Sequence, residues 1–146
     1  MIILDTNVVS EFMRPAPDVG VTSWLDSLTR GEIWTTSITV AELAARIGML
    51  PNGQRRDRLD DALRQALHGF GDRILSFTPR TALAYGTIVG TRHQAGRPIS
   101  IADAQIAAIV ATGGATLATR NVKDFDGTGI AVFNPWASDA SSDAQA

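Results

Sequence analysis

The sequence predicts an α/β protein with helices on both faces of a parallel sheet, and three observations carry that prediction. Short, nearly continuous apolar runs recur at 2–4, 33–36, 74–77, 115–118 and 130–133. Such runs suit strands buried on both faces. Longer segments with apolar residues at helical spacing lie between them, and the alternation of the two along the chain is the pattern of a three-layer α/β/α sandwich.

In chain order, the first strand is Ile2-Ile3-Leu4, stopped by Asp5, and Thr6 and Asn7 stand where a first helix starts. Residues 19–28 carry Val21, Trp24, Leu25 and Leu28 at helical spacing. After the strand at 33–36, a helix over 40–50 ends at Pro51-Asn52-Gly53, a stop-and-turn signal. The segment 55–70 puts Leu59, Leu63, Leu67 and Phe70 on one stripe and is closed by Gly71. Helices over 81–94 and 102–111 follow, the second stopped by Gly113-Gly114. No repeat and no linker divides the chain, so 1–136 reads as one domain. The small, polar segment 137–146 reads as a disordered tail.

A chain of 146 residues is long enough to bury a real core. It has no cysteine, which excludes disulfides and thiolate metal sites and fits a reducing cytoplasm. No secretory leader is expected at its start, and no stretch approaches the ~20 apolar residues that span a bilayer. The net charge of −2 argues against a protein that coats nucleic acid, but not against an enzyme that acts on it.

The acids are the informative residues. Asp5 follows the first strand directly, Glu42 falls in the first turn of the next helix, Asp103 opens the helix before the fourth strand, and Asp124 follows that strand. In an open parallel sheet, ligands bind beyond the carboxyl ends of the strands, where the strand order reverses. Four acids at one such edge make a poor core and a good cation site. Three of them also read as helix caps. Thr39-Val40-Ala41-Glu42 and Ser100-Ile101-Ala102-Asp103 match capping boxes, and Asn121-Val122-Lys123-Asp124 resembles one. Taken singly, each reads more readily as a cap than as a ligand. Asp5 does not, because a carboxylate closing an apolar strand is unfavourable without a partner. His68 and His93 fall on amphipathic helices and read as surface residues. The run Arg55-Arg56-Asp57-Arg58 reads as a solvated face laced with ion pairs, whereas Arg120 and Lys123 flank Asp124 and are better placed to meet a substrate backbone.

The blocks Ile3-Leu4-Asp5-Thr6-Asn7-Val8-Val9-Ser10-Glu11 and Ser37-Ile38-Thr39-Val40-Ala41-Glu42-Leu43 resemble the start of a PIN-domain toxin of the VapC type. Ile101-Ala102-Asp103-Ala104-Gln105 and Leu117-Ala118-Thr119-Arg120-Asn121-Val122-Lys123-Asp124-Phe125 continue the resemblance. Gly127-Thr128-Gly129 and Asn134-Pro135-Trp136 direct it to the FitB-like branch. The likeness runs from Met1 to Trp136 and lacks none of the acids. It implies a PIN domain with a five-stranded parallel sheet in the order 3-2-1-4-5. It implies a toxin of a type II toxin–antitoxin system that cleaves RNA with Mg²⁺, or Mn²⁺, and a small DNA-binding antitoxin as partner. By matching position, Asp5 and Asp103 hold the metal, and Glu42 and Asp124 complete the pocket through waters or by orienting the nucleophile. Thr6, Asn7 and Thr119 are placed to steady these carboxylates, though local capping explains them equally well. A homodimer is also implied, through an apolar face on the helix at 55–70 or at 81–94.

The competing reading is a regulatory protein that acts mainly in complex with a DNA-binding antitoxin and cleaves little; the complete set of acids favours the enzyme. A phosphoryl-transfer receiver domain fails because no acidic pair precedes the first helix and Phe77-Thr78 offers no acceptor Asp. A haloacid-type phosphatase fails because Asp5-Thr6-Asn7 has no second Asp two residues on.

Overall fold

The five apolar runs come together as one parallel sheet in the computed structural model, which describes residues 1–137. Its strands are β1 (Ile2–Leu4), β2 (Ile33–Thr36), β3 (Ile74–Leu75), β4 (Thr116–Ala118) and β5 (Ala131–Phe133), in the order β3-β2-β1-β4-β5. Six helices connect them: α1 (Thr6–Phe12), α2 (Val19–Asp26), α3 (Ser37–Gly48), α4 (Gln54–Phe70), α5 (Pro79–Gln94) and α6 (Ile101–Gly113). The expected tail lies, apart from Ala137, outside the described residues.

Alternation along the strands splits the core in two. Ile3 and Leu117 point to one face and pack with Ile88 of α5 and with Ile106, Ile109 and Val110 of α6. Leu4 and Ala118 point to the other and pack with Val8 and Val9 of α1, Leu43 and Ile47 of α3, and Leu63 of α4. Trp24 and Trp34 are half-buried core residues, one on each side. The three-layer expectation therefore holds. Among the described residues no helix is long and apolar enough to cross a membrane.

Several boundaries differ from the sequence expectation, and each has a physical reason. The third strand is two residues long rather than four because its neighbour β2 ends at Thr36, which pairs with Leu75. The helices expected from 40 and 81 begin earlier. α3 is capped by Thr36, whose hydroxyl accepts from Thr39 N–H at 3.1 Å, and α5 by Thr78, whose hydroxyl accepts from Thr81 N–H at 3.3 Å. Glu42 thus sits in the second turn of α3, not the first, and the box read from Thr39 to Glu42 does not form. Nor does Asn121 cap the short 3₁₀ turn Val122–Phe125 with its side chain. The cap at Ser100 does form, with Asp103 N–H donating to its hydroxyl at 3.2 Å.

Candidate metal centre

β1 and β4 are neighbours in register, Leu4 opposite Ala118, so the next residue of each strand, Asp5 and Thr119, leaves the sheet at the same place. The ladder closes there with Asp5 N–H donating to Ala118 O at 2.9 Å. This is also where the strand order reverses, which opens a crevice at the carboxyl edge.

Asp5 is only 4% exposed. One carboxylate oxygen accepts from Thr6 N–H at 2.8 Å, the other from the Thr119 hydroxyl at 2.7 Å and, at a long 3.4 Å, from the Asn7 amide. Asp5 is the residue preceding α1, yet its bond to the first helical N–H is only one of these. Asn7 is tied more widely: its amide nitrogen donates to Thr119 Oγ1 at 3.2 Å and its carbonyl oxygen accepts from Arg120 N–H at 3.1 Å. Thr6 donates its hydroxyl to Glu42 Oε1 at 2.7 Å and so links the start of α1 to α3. Thr6 and Thr119 thus each donate a hydroxyl to a carboxylate, and Asn7 reaches Asp5 only at the long distance. Thr39, whose hydroxyl lies 3.3 Å from that of Thr6, belongs to the same network, although its place in the sequence is that of a helix cap.

Burial raises the pKa of Asp5; the Thr119 hydroxyl and Thr6 N–H oppose that effect, and the charges of Glu42 and Asp124 add to it. Asp103 is half-buried at the start of α6, and its pKa rises to about 6. Desolvation is the main cause, opposed by the Ser100 hydroxyl and reinforced by Asp5, Asp124 and Glu42. Each of the other three acids therefore acts electrostatically on Asp103. Asp124 is exposed and stands with Arg120, Asn121 and Lys123 in a cleft of about 430 Å³. The Arg120 guanidinium lies 5.0 Å above the Trp136 ring, a cation–π contact at the edge of that cleft. The arginine run at 55–58 is elsewhere: Arg56 bonds Asn52, and Arg55 and Arg58 line a separate groove with Arg46.

Among the described residues no group of three or more His, Cys, Asp or Glu side chains is arranged to hold an ion as it stands. The carboxylates of Asp5 and Glu42 are turned to their hydroxyl donors instead. The donor chemistry still fits a hard cation: carboxylate oxygens with hydroxyls behind them, and no nitrogen or sulfur. Mg²⁺ keeps several waters and takes one or two direct carboxylates from a protein, so a preformed cage is not required.

A family model for the PIN domain matches residues 2–129. The toxin FitB of Neisseria gonorrhoeae is 42% identical over 137 residues, covering 93% of this chain and 99% of that protein. The VapC ribonuclease Y4jK of Sinorhizobium fredii is 35% identical over 140 residues, covering 93% and 98%. A solved structure of FitAB bound to a DNA fragment superposes with a TM-score of 0.85 at 40% identity, covering 93% of this chain and 96% of that one.

Proposed function

The chain belongs to the PIN domain family, and on that footing we propose that it is the toxin of a toxin–antitoxin pair, an endoribonuclease that hydrolyses RNA phosphodiester bonds with Mg²⁺ or Mn²⁺. The observation that carries this reading is the placement of Asp5 and Glu42 at the reversal of the strand order, each carboxylate held by a threonine hydroxyl, with Asp103 opening α6 close enough to feel their charge. In this reading Asp5 and Asp103 hold the ion directly, and Glu42 and Asp124 reach it through water or orient the attacking water. Thr6, Asn7 and Thr119 keep the carboxylates aimed, and Arg120 and Lys123 meet the RNA backbone. The ion, when bound, neutralises charge on the phosphate and makes a water more acidic.

The partner in this reading is a small DNA-binding antitoxin, the compartment is the cytoplasm, and the working unit is a homodimer. FitAB, a structural neighbour, is described bound to DNA, which also favours the second reading: a protein that acts chiefly by regulating through such a complex. Cleavage decides between them. Purified protein should cut total RNA with Mg²⁺ or Mn²⁺ and stop on addition of EDTA. Asp5→Asn and Asp103→Asn should each slow it by orders of magnitude, since each removes a coordinating charge. Full activity in either variant sinks the assignment.

A further inference from the structure

Arg92 lies on α5, away from the four acids in sequence, and is only 6% exposed. Buried arginines are ordinarily paired with acids. Here all the guanidinium's hydrogen bonds among the described residues go to main-chain carbonyls, and these belong to two loops. Nη1 donates to Asp124 O and to Asp126 O, each at 2.8 Å. Nε donates to Arg97 O at 2.6 Å, with Pro98 O at 3.5 Å from Nη2. The first loop carries Asp124. The second runs straight into Ser100, the cap of α6, on whose first turn Asp103 stands.

The Asp124 turn has an apolar anchor in Phe125, 2% exposed in the same core as Ile88, Ile106 and Leu117, and Arg92 is its polar tie to the loop before α6. The turn is a short 3₁₀ element without a side-chain cap, followed by Gly127 in the left-handed region at φ 74°. A Cβ added at Gly127 would stand 3.7 Å from Arg92 Cδ, so the arginine's aliphatic stem passes beside the turn. A second tie between the same loops, the Arg97–Asp126 ion pair, is 3.5 Å long and half-exposed, where such pairs contribute little.

We propose that Arg92 is a positioning residue which fastens the Asp124 turn to the loop entering α6 and thereby fixes the spacing of Asp124 and Asp103 for the metal. The inference rests on the metal-centre reading above. A planar guanidinium with five fixed donors reaches carbonyls on two loops at once; a lysine ammonium, a point charge with three donors, does not reproduce that fork. Sites that bind or react tolerate only about half an ångström of misplacement, so loosening either loop weakens ion binding.

The test uses the full chain, Mn²⁺ as the probe and Arg92→Lys, which keeps the charge and most of the stem. Free Mn²⁺ is titrated by electron paramagnetic resonance well below the melting temperature, and amide exchange is followed in EDTA. Arg92→Lys should weaken Mn²⁺ binding about tenfold and speed exchange in 121–128 while leaving β1 and α3 protected. Loss of stability with an unchanged Mn²⁺ affinity would reduce Arg92 to a structural role and overturn the proposal. If Arg92→Lys does not fold, amide exchange in the wild type decides: residues 99–103 and 121–128 should become exchangeable together as urea is raised, and separate openings overturn the coupling. A wild-type chain that takes up no Mn²⁺ removes the metal reading and this proposal with it, an outcome distinct from equal binding by wild type and variant.

Discussion

Asp103 carries two opposing loads, and its substitution separates them. As the third residue of α6 it is favoured by the helix dipole, an effect worth roughly 0.3–1 kcal/mol. The cap bond at this helix runs from Asp103 N–H to the Ser100 hydroxyl and survives replacement by Asn. Against that stands a pKa raised from 3.8 to about 6. An acid with a raised folded pKa holds its proton more tightly when folded than when unfolded, so its charge penalises the fold. The penalty is absent below about pH 3.8, grows as the pH rises through the window up to about 6, and is complete above it. Asp103→Asn in EDTA at neutral pH should therefore melt at or above the wild type, and the gap should shrink on going to pH 4. In millimolar Mg²⁺ the order should reverse, because an ion bound only by the folded wild type stabilises it by mass action. Asp57→Asn, on the exposed surface of α4, should show no crossover. An equal loss of stability with and without Mg²⁺ would leave Asp103 a helix-stabilising acid and no ligand.

At the scale of elements, the six α-helices and five strands are legible in the sequence, but two of the helices begin earlier than their apolar pattern, and the 3₁₀ turn at Arg30–Glu32 lies outside the elements it predicts. Both early starts share one feature. In α3 and α5 a threonine caps the helix and a second threonine stands three residues later, at 36 and 39 and again at 78 and 81. Either threonine suits a cap by its chemistry. At Thr36 the pairing of β2 chooses the first, and at Thr78 the proline at the first helical position, Pro79, does so. Helix ends marked by glycine were read well, because the signal there is backbone geometry. Gly114 ends α6 at φ 61° and ψ 31°, left-handed, with open space around the position of a Cβ. Gly114→Ala should therefore cost the conformational term alone, about 1–2 kcal/mol, in urea melts read by circular dichroism. Unchanged stability would mean that the turn accepts a different geometry.

At the scale of the molecule, α5 leaves Leu83 80% exposed, a large apolar side chain on one of the two helices expected to support a dimer. Leu83→Glu should convert a dimer to monomer in sedimentation equilibrium without lowering the melting temperature of the monomer by more than about 0.5 kcal/mol equivalent, as for other surface changes. A dimer of unaltered strength would place the contact on another face. The sequence by itself determined the class of the fold, since strand and helix periods are local, and it marked the four acids by their convergence on one sheet edge, although three of them taken singly read as caps. It did not determine what each acid touches. Asp5 meets Thr119 and Thr6 meets Glu42 only because β1 lies between β2 and β4, and that adjacency arises from the crossovers that wrap the sheet. Arg92 was hidden for the same reason. It shares the buried stripe of α5 with Thr81 and Ile88, an odd place for a charge, but its acceptors are carbonyls of loops 97–98 and 124–126, which no side-chain pattern encodes. Main-chain acceptors are present at every residue, so only the tertiary structure decides which of them a buried guanidinium finds.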